Sequence, residues 1–147
     1  MMKPLAAALV LAATPLAAQD IEEAEDFARS NILAIFYHEF GHALIDILDL
    51  PIYGREEDAA DNASVLLMEW LYDEASATQM VMDTADAFWV ESWEEAEDLP
   101  VWGVHGLSEQ RYYNTLCVFY GGNPDARGDM IDVMGLPEDR AASCPDE

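Results

Sequence analysis

Apolar residues recur along this chain at the three- and four-residue spacing of helices. A first amphipathic segment runs from about Glu22 or Ser30 to Leu48, with Ile32, Ile35, Phe36, Leu44, Ile47 and Leu48 as its apolar positions. Pro51 and Gly54 then mark a turn. Acidic residues open a second helix, about Glu56 to Ala75, with Ala60, Ala63, Leu67, Trp70 and Leu71 inward. A third spans about Thr78 to Glu97, where Met80, Met82, Phe88, Trp89 and Trp93 read as core. Pro100, Gly103 and Gly106 make the next stretch, Leu99 to Leu107, a loop. Ser108 is the expected N-cap of a fourth helix that runs to Tyr120 and ends at Gly121-Gly122-Asn123-Pro124. A short fifth helix is expected over about Asp125 to Met134. No stretch alternates with period two between turns, so the pattern predicts an all-α chain, a compact bundle of four to five helices.

The N-terminus follows a different pattern. Lys3 precedes an unbroken apolar and small-residue stretch, Leu5 to Ala18, which predicts a secretory signal peptide over residues 1–18 with cleavage near 18/19. A single domain, 19–147, would remain. The stretch is too short to span a bilayer comfortably, no other stretch is long enough, and no cysteine lies near the cleavage point to carry a lipid. The mature chain is therefore expected to be exported, periplasmic or secreted, with no stable membrane anchor.

Export sharpens the charge. Loss of Lys3, the only lysine, takes the formal charge from −24 to −25, five arginines against 30 acidic residues. Such a surface repels nucleic acid and anionic membranes and would steer cationic peptide segments towards it, although solubility, as in a salty habitat, is the favoured reading of the charge. The two cysteines, Cys117 and Cys144, are expected to pair in an oxidising compartment. That bridge would close a loop of about 28 residues, worth ~3–4 kcal/mol on the chain-entropy view.

Chemistry concentrates in His38-Glu39-Phe40-Gly41-His42. Helix positions four apart lie about 40° apart around the axis, so both imidazoles project from one face. Two neutral imidazoles bind Zn²⁺, and the adjacent Glu39 can act as base towards water activated by that ion. Gly41 lies mid-helix, where it costs up to ~1 kcal/mol relative to Ala. It either admits the backbone of a neighbouring helix or is simply tolerated. A third ligand is sought in the acidic run Glu56-Glu57-Asp58-Ala59-Ala60-Asp61. Glu57 and Asp61 are four apart on one face, so Glu57 can ligate while Asp61 accepts the second N–H of a ligating imidazole. Glu56 or Asp58 could ligate instead, without that pairing to Asp61.

HEFGH at 38–42 followed by EDAAD at 57–61 resembles the gluzincin pattern, HExxH on one helix and ExxxD on the next. The resemblance implies a minimal zincin core: His38, His42 and Glu57 as ligands of one Zn²⁺ per chain, Glu39 as general base and Asp61 as the partner of a ligating imidazole. More narrowly, HEFGHALID, LPIYGREEDAAD and HGLSEQRYYNTLCVFYGGNP resemble small secreted bacterial proteins labelled as metallopeptidases, over roughly residues 30–125.

An amide hydrolase also needs a donor to the oxyanion. His105 sits in a glycine-flanked loop, and Tyr112 or Tyr113 follows; His105 and Tyr113 are the candidates. Arg111 is expected chiefly as a salt-bridge partner of an acid such as Asp61. The reading is an exported zinc-dependent metallopeptidase acting on a peptide or protein substrate. Its alternative is a non-catalytic periplasmic zinc-binding or structural protein with a relic site. The missing strand, on which zincins align extended substrates, points to a narrow substrate range or to very weak activity. A His₂Glu site also accepts Co²⁺ or Mn²⁺.

Overall fold

A computed structural model describes residues 16–95, 99 and 101–147, with side chains from residue 21 onward. Residues 1–15 of the expected signal peptide lie outside the described residues. Four long helices carry the fold: α1 (Leu16–Leu48), α2 (Glu56–Leu71), α3 (Glu74–Glu95) and α4 (Ser108–Gly122). Two single turns, α5 (Asp129–Asp132) and α6 (Glu138–Ala141), and a 3₁₀ turn, Cys144–Asp146, follow. Among the described residues there is no strand.

Helix α1 packs on α2 and α3, and α4 packs on the same two, so α2 and α3 both bridge α1 to α4. Phe119, Met68, Leu116, Met130, Leu136 and Val81 are fully buried between them. Buried Arg127 ties three helices together. Its Nε donates to Glu74 at 2.7 Å, a terminal nitrogen donates to Glu69 at 3.0 Å, and another donates to the Phe119 carbonyl. Its guanidinium also stacks 3.6 Å over the Phe119 ring. The C-terminus is held by the Cys117–Cys144 disulfide, which spans 5.2 Å between Cα atoms and fixes the 3₁₀ turn on α4. A Cβ at Gly121 would overlap the Cys144 carbonyl, so only glycine lets that turn lie so close.

Several expected positions face the other way. Ile32, Ile35, Phe36, Ile47 and Leu48 of α1 are exposed, and the buried stripe is Ser30, Ala34, Tyr37 and Gly41. The reason is close packing through small residues. A Cβ on Gly41 would sit 3.1 Å from Ala63 Cβ and 3.2 Å from Ala60 Cα, so Gly41 admits the α2 backbone. The Ser64 hydroxyl donates to the Ala34 carbonyl at 2.9 Å across the same seam. Trp70, Leu71 and Trp93 are likewise exposed.

The second helix stops at Leu71 rather than Ala75 because Asp73 starts the third. Its carboxylate accepts from the Ser76 amide at 3.1 Å and from the Ser76 hydroxyl at 2.8 Å. The expected end of the third helix, Glu97, lies outside the described residues. Ser108 does not cap α4 but is its first residue. Glu95 of α3 does the capping, accepting from the Ser108 amide at 2.9 Å and from its hydroxyl at 2.7 Å.

Candidate metal centre

Close approach of α1 to α2 brings the two acid-base motifs face to face. His38 and His42 project from α1 onto the first turns of α2, where Glu56, Glu57 and Asp61 stand. Asp61 accepts from His38 Nδ1 at 2.8 Å, and Glu56 accepts from His42 Nδ1 at 2.8 Å. Each carboxylate therefore holds its imidazole in the Nδ1–H tautomer, which leaves the Nε2 lone pair free. Asp61 is itself fixed by a two-pronged Arg111 contact, Nε at 2.8 Å and a terminal nitrogen at 2.9 Å. Arg111 in turn lies 4.0 Å above the Phe88 ring. The Glu56 hydrogen bond, opposed by desolvation and helped by the charge of Glu57, raises the His42 pKa, so that a proton competes with any metal ion for Nε2.

The two free Nε2 atoms lie 3.2 Å apart, and each is 3.3 Å from Glu57 Oε2. In the tautomers set by Asp61 and Glu56 these are three lone-pair atoms facing one point, a repulsive arrangement without a cation. Glu57 Oε2 is buried and accepts no hydrogen bond, although imidazole nitrogens surround it. Ligands about 2.0–2.1 Å from a tetrahedral ion are separated by roughly 3.3 Å, so the triangle has the dimensions of one face of such a site. His38, His42 and Glu57 thus form a group that can hold a metal ion.

The choice among the three adjacent acids follows from geometry. Glu57 supplies the oxygen in the triangle, Glu56 bonds the far side of His42, and Asp58 lines a separate recess with Arg55 and Gly106. The role of Glu56 as partner of His42 was not legible in the sequence, because two adjacent glutamates at a helix start differ only by rotation about its axis.

Next to the triangle is a cavity of about 240 Å³. His38, Glu39, Asp61, His105 and Arg111 line its polar side, and Ala34, Ile35, Val65 and Phe88 its apolar side. Glu39 is exposed at this cavity. His105 is half exposed, with its Nε2 2.9 Å from Glu57 Oε2. Tyr113 is placed elsewhere. It packs edge-on against Tyr112 with ring centroids 5.0 Å apart and lines the recess of Arg55, Asp58 and Gly106.

Fold and site together define an all-α protein with an HExxH helix set against an acidic second helix. The family described as "Putative metallopeptidase" matches residues 8–147, and the chain belongs to that family. No curated protein and no solved structure matches the chain.

Proposed function

We propose that the protein is an exported zinc metallopeptidase that hydrolyses peptide bonds beside the His38–His42–Glu57 triangle. The observation that carries the reading is the convergence of two imidazole lone pairs and an unbonded, buried carboxylate oxygen within 3.3 Å of one another. Two imidazole nitrogens and one carboxylate oxygen are a donor set that would suit zinc, one ion per chain. When bound, zinc supplies Lewis acidity that polarises a carbonyl and lowers the pKa of water.

The remaining work belongs to side chains. Glu39, at the cavity beside His38, takes a proton from the attacking water and returns it to the leaving amide nitrogen. His105 donates Nε2–H to the carbonyl oxygen as it gains negative charge. Tyr113, on its separate recess, is given no part. Asp61 with Arg111, and Glu56, keep the two imidazoles aimed. The apolar walls, Ala34, Ile35, Val65 and Phe88, receive a substrate side chain and exclude water from it. The charge of −25 on the mature chain favours cationic peptide segments and disfavours nucleic acid. The Cys117–Cys144 bridge fits export, and no helix among the described residues is long and apolar enough to cross a membrane.

Peptide-library hydrolysis by zinc-loaded wild type and Glu39→Gln tests the assignment. Loss of about 10²–10⁴ in rate, with zinc still bound, is the expected result for a general base. A zinc-loaded wild type that cleaves nothing, or an unaltered Glu39→Gln, would transfer the reading to a non-catalytic zinc protein. The absence of a strand beside the site among the described residues is what favours that second reading.

A further inference from the structure

We propose that His105 is a fourth, detachable protein ligand of the same centre, completing a His₃Glu set until substrate displaces it. The inference rests on the metal reading above and adds to it a resting state. Three observations support it.

The first is direction. His105 Nε2 lies only 2.9 Å from Glu57 Oε2, yet that oxygen accepts no hydrogen bond from it. The imidazole is close to the carboxylate without aiming a proton at it, as two ligands of one ion are. The second is distance. Imidazoles sharing a tetrahedral ion have ring centroids roughly 5 Å apart. His38 and His42 are 4.8 Å apart, whereas His38 and His105 are 6.2 Å apart with rings tilted by 30°. His105 thus stands just outside the trio that can hold an ion, beside it but not yet part of it. The third is mounting. His38 and His42 sit on a packed helix with carboxylates behind them. His105 is half exposed, on a stretch where Val101, Trp102 and Val104 are exposed too, and it joins the fold at Ser108 through Glu95. A ligand held that lightly exchanges readily.

The arrangement joins two roles in one residue. With zinc bound and no substrate, His105 would be the fourth protein ligand through its Nε2 lone pair; displaced by substrate, the freed imidazole would take up a proton at Nε2 and serve as the donor to the carbonyl oxygen. Hydrolysis of adventitious peptides is thereby slowed, because only a substrate that also fills the apolar cavity competes well with a tethered ligand.

X-ray absorption on Co²⁺- or Zn²⁺-loaded mature protein counts coordinated imidazoles, and chelator competition gives the metal dissociation constant. Three imidazoles in wild type and two in His105→Ala are expected, with the constant rising about 10–100-fold in the variant. Acetohydroxamate, a bidentate oxygen ligand, should lower the wild-type count to two. Two imidazoles in wild type with an unchanged constant in His105→Ala would overturn the proposal and leave the His38–His42–Glu57 centre intact. Three imidazoles that persist in saturating acetohydroxamate would overturn detachment. No metal on either protein would overturn the centre itself. His105→Ala alters an exposed loop residue, so far-UV circular dichroism should match wild type.

Discussion

Asp61 ties the first imidazole of the centre to an arginine on another helix. It holds His38 through Nδ1, and Arg111 grips both of its oxygens. Asp61→Asn keeps the shape but removes the charge that pairs with Arg111 and that stabilises an Nδ1–H donor. Metal affinity should fall about 10–100-fold, measured by chelator competition, with the imidazole count unchanged. Unaltered affinity would mean that the tautomer of His38 is set by something other than Asp61. Both motifs were legible in the sequence because four-residue helical spacing carries face information directly, as for His38 and His42 or Glu57 and Asp61. The separation of Glu56 from Glu57 was not, and neither was the division between His105 at the cavity and Tyr113 away from it. Those depend on how a loop and a helix rotate over α2, which no local spacing encodes.

Helix α1 shows why inward positions are harder to read than helices themselves. It carries large apolar residues on most sides, so periodicity marks a helix without marking which side is covered. Packing chose Ser30, Ala34, Tyr37 and Gly41, because small residues let α2 approach. Two effects of Gly41→Ala oppose one another. Propensity alone favours alanine by up to ~1 kcal/mol. The new Cβ would meet the Ala60 backbone at 3.2 Å, and overpacking against backbone typically costs about 1–3 kcal/mol. The net expectation is destabilisation together with weaker metal binding, since the α1–α2 spacing sets the ligand triangle. Urea denaturation of metal-free protein measures the first, and stabilisation there would show that α2 yields without strain. The break between α2 and α3 escaped the sequence reading for a related reason. It has neither proline nor glycine, only Asp73 turning its carboxylate onto Ser76. The start of α4 escaped because its cap, Glu95, comes from another helix.

At the scale of the molecule, a strongly acidic chain places three of its five arginines, Arg111, Arg127 and Arg140, in ion pairs between distant segments or at the C-terminus. Arg127 and Arg140 hold Glu74 and Glu147 below the usual glutamate pKa, in each case mainly by hydrogen bonding to the carboxylate. A depressed folded pKa means stability that is present above the unfolded value, near 4.5, and is lost as pH falls through the depressed one. Burial, with the charge of Asp83, raises Asp86 instead, so that among the carboxylates this group favours the folded state on the acid side. With Asp73, lowered by its hydrogen bonds from Ser76, three depressed carboxylates stand against one raised, and thermal melts of the metal-free protein should show a net loss below about pH 4.5. Arg127→Met should flatten the Glu74 part of that loss, and an unchanged pH profile in this variant would separate Glu74 from acid stability. The all-α class and the Cys117–Cys144 bridge were both legible at this scale, the first from the absence of alternation and the second from an even cysteine count.

His38, His42 and Glu57 are assigned here as three vertices of one zinc site. Zinc per chain, measured on mature wild type and on Glu57→Ala after equal exposure to the metal, tests it most directly. One zinc per wild-type chain and strong loss in Glu57→Ala are expected. No zinc on wild type, or full retention without Glu57, would contradict it.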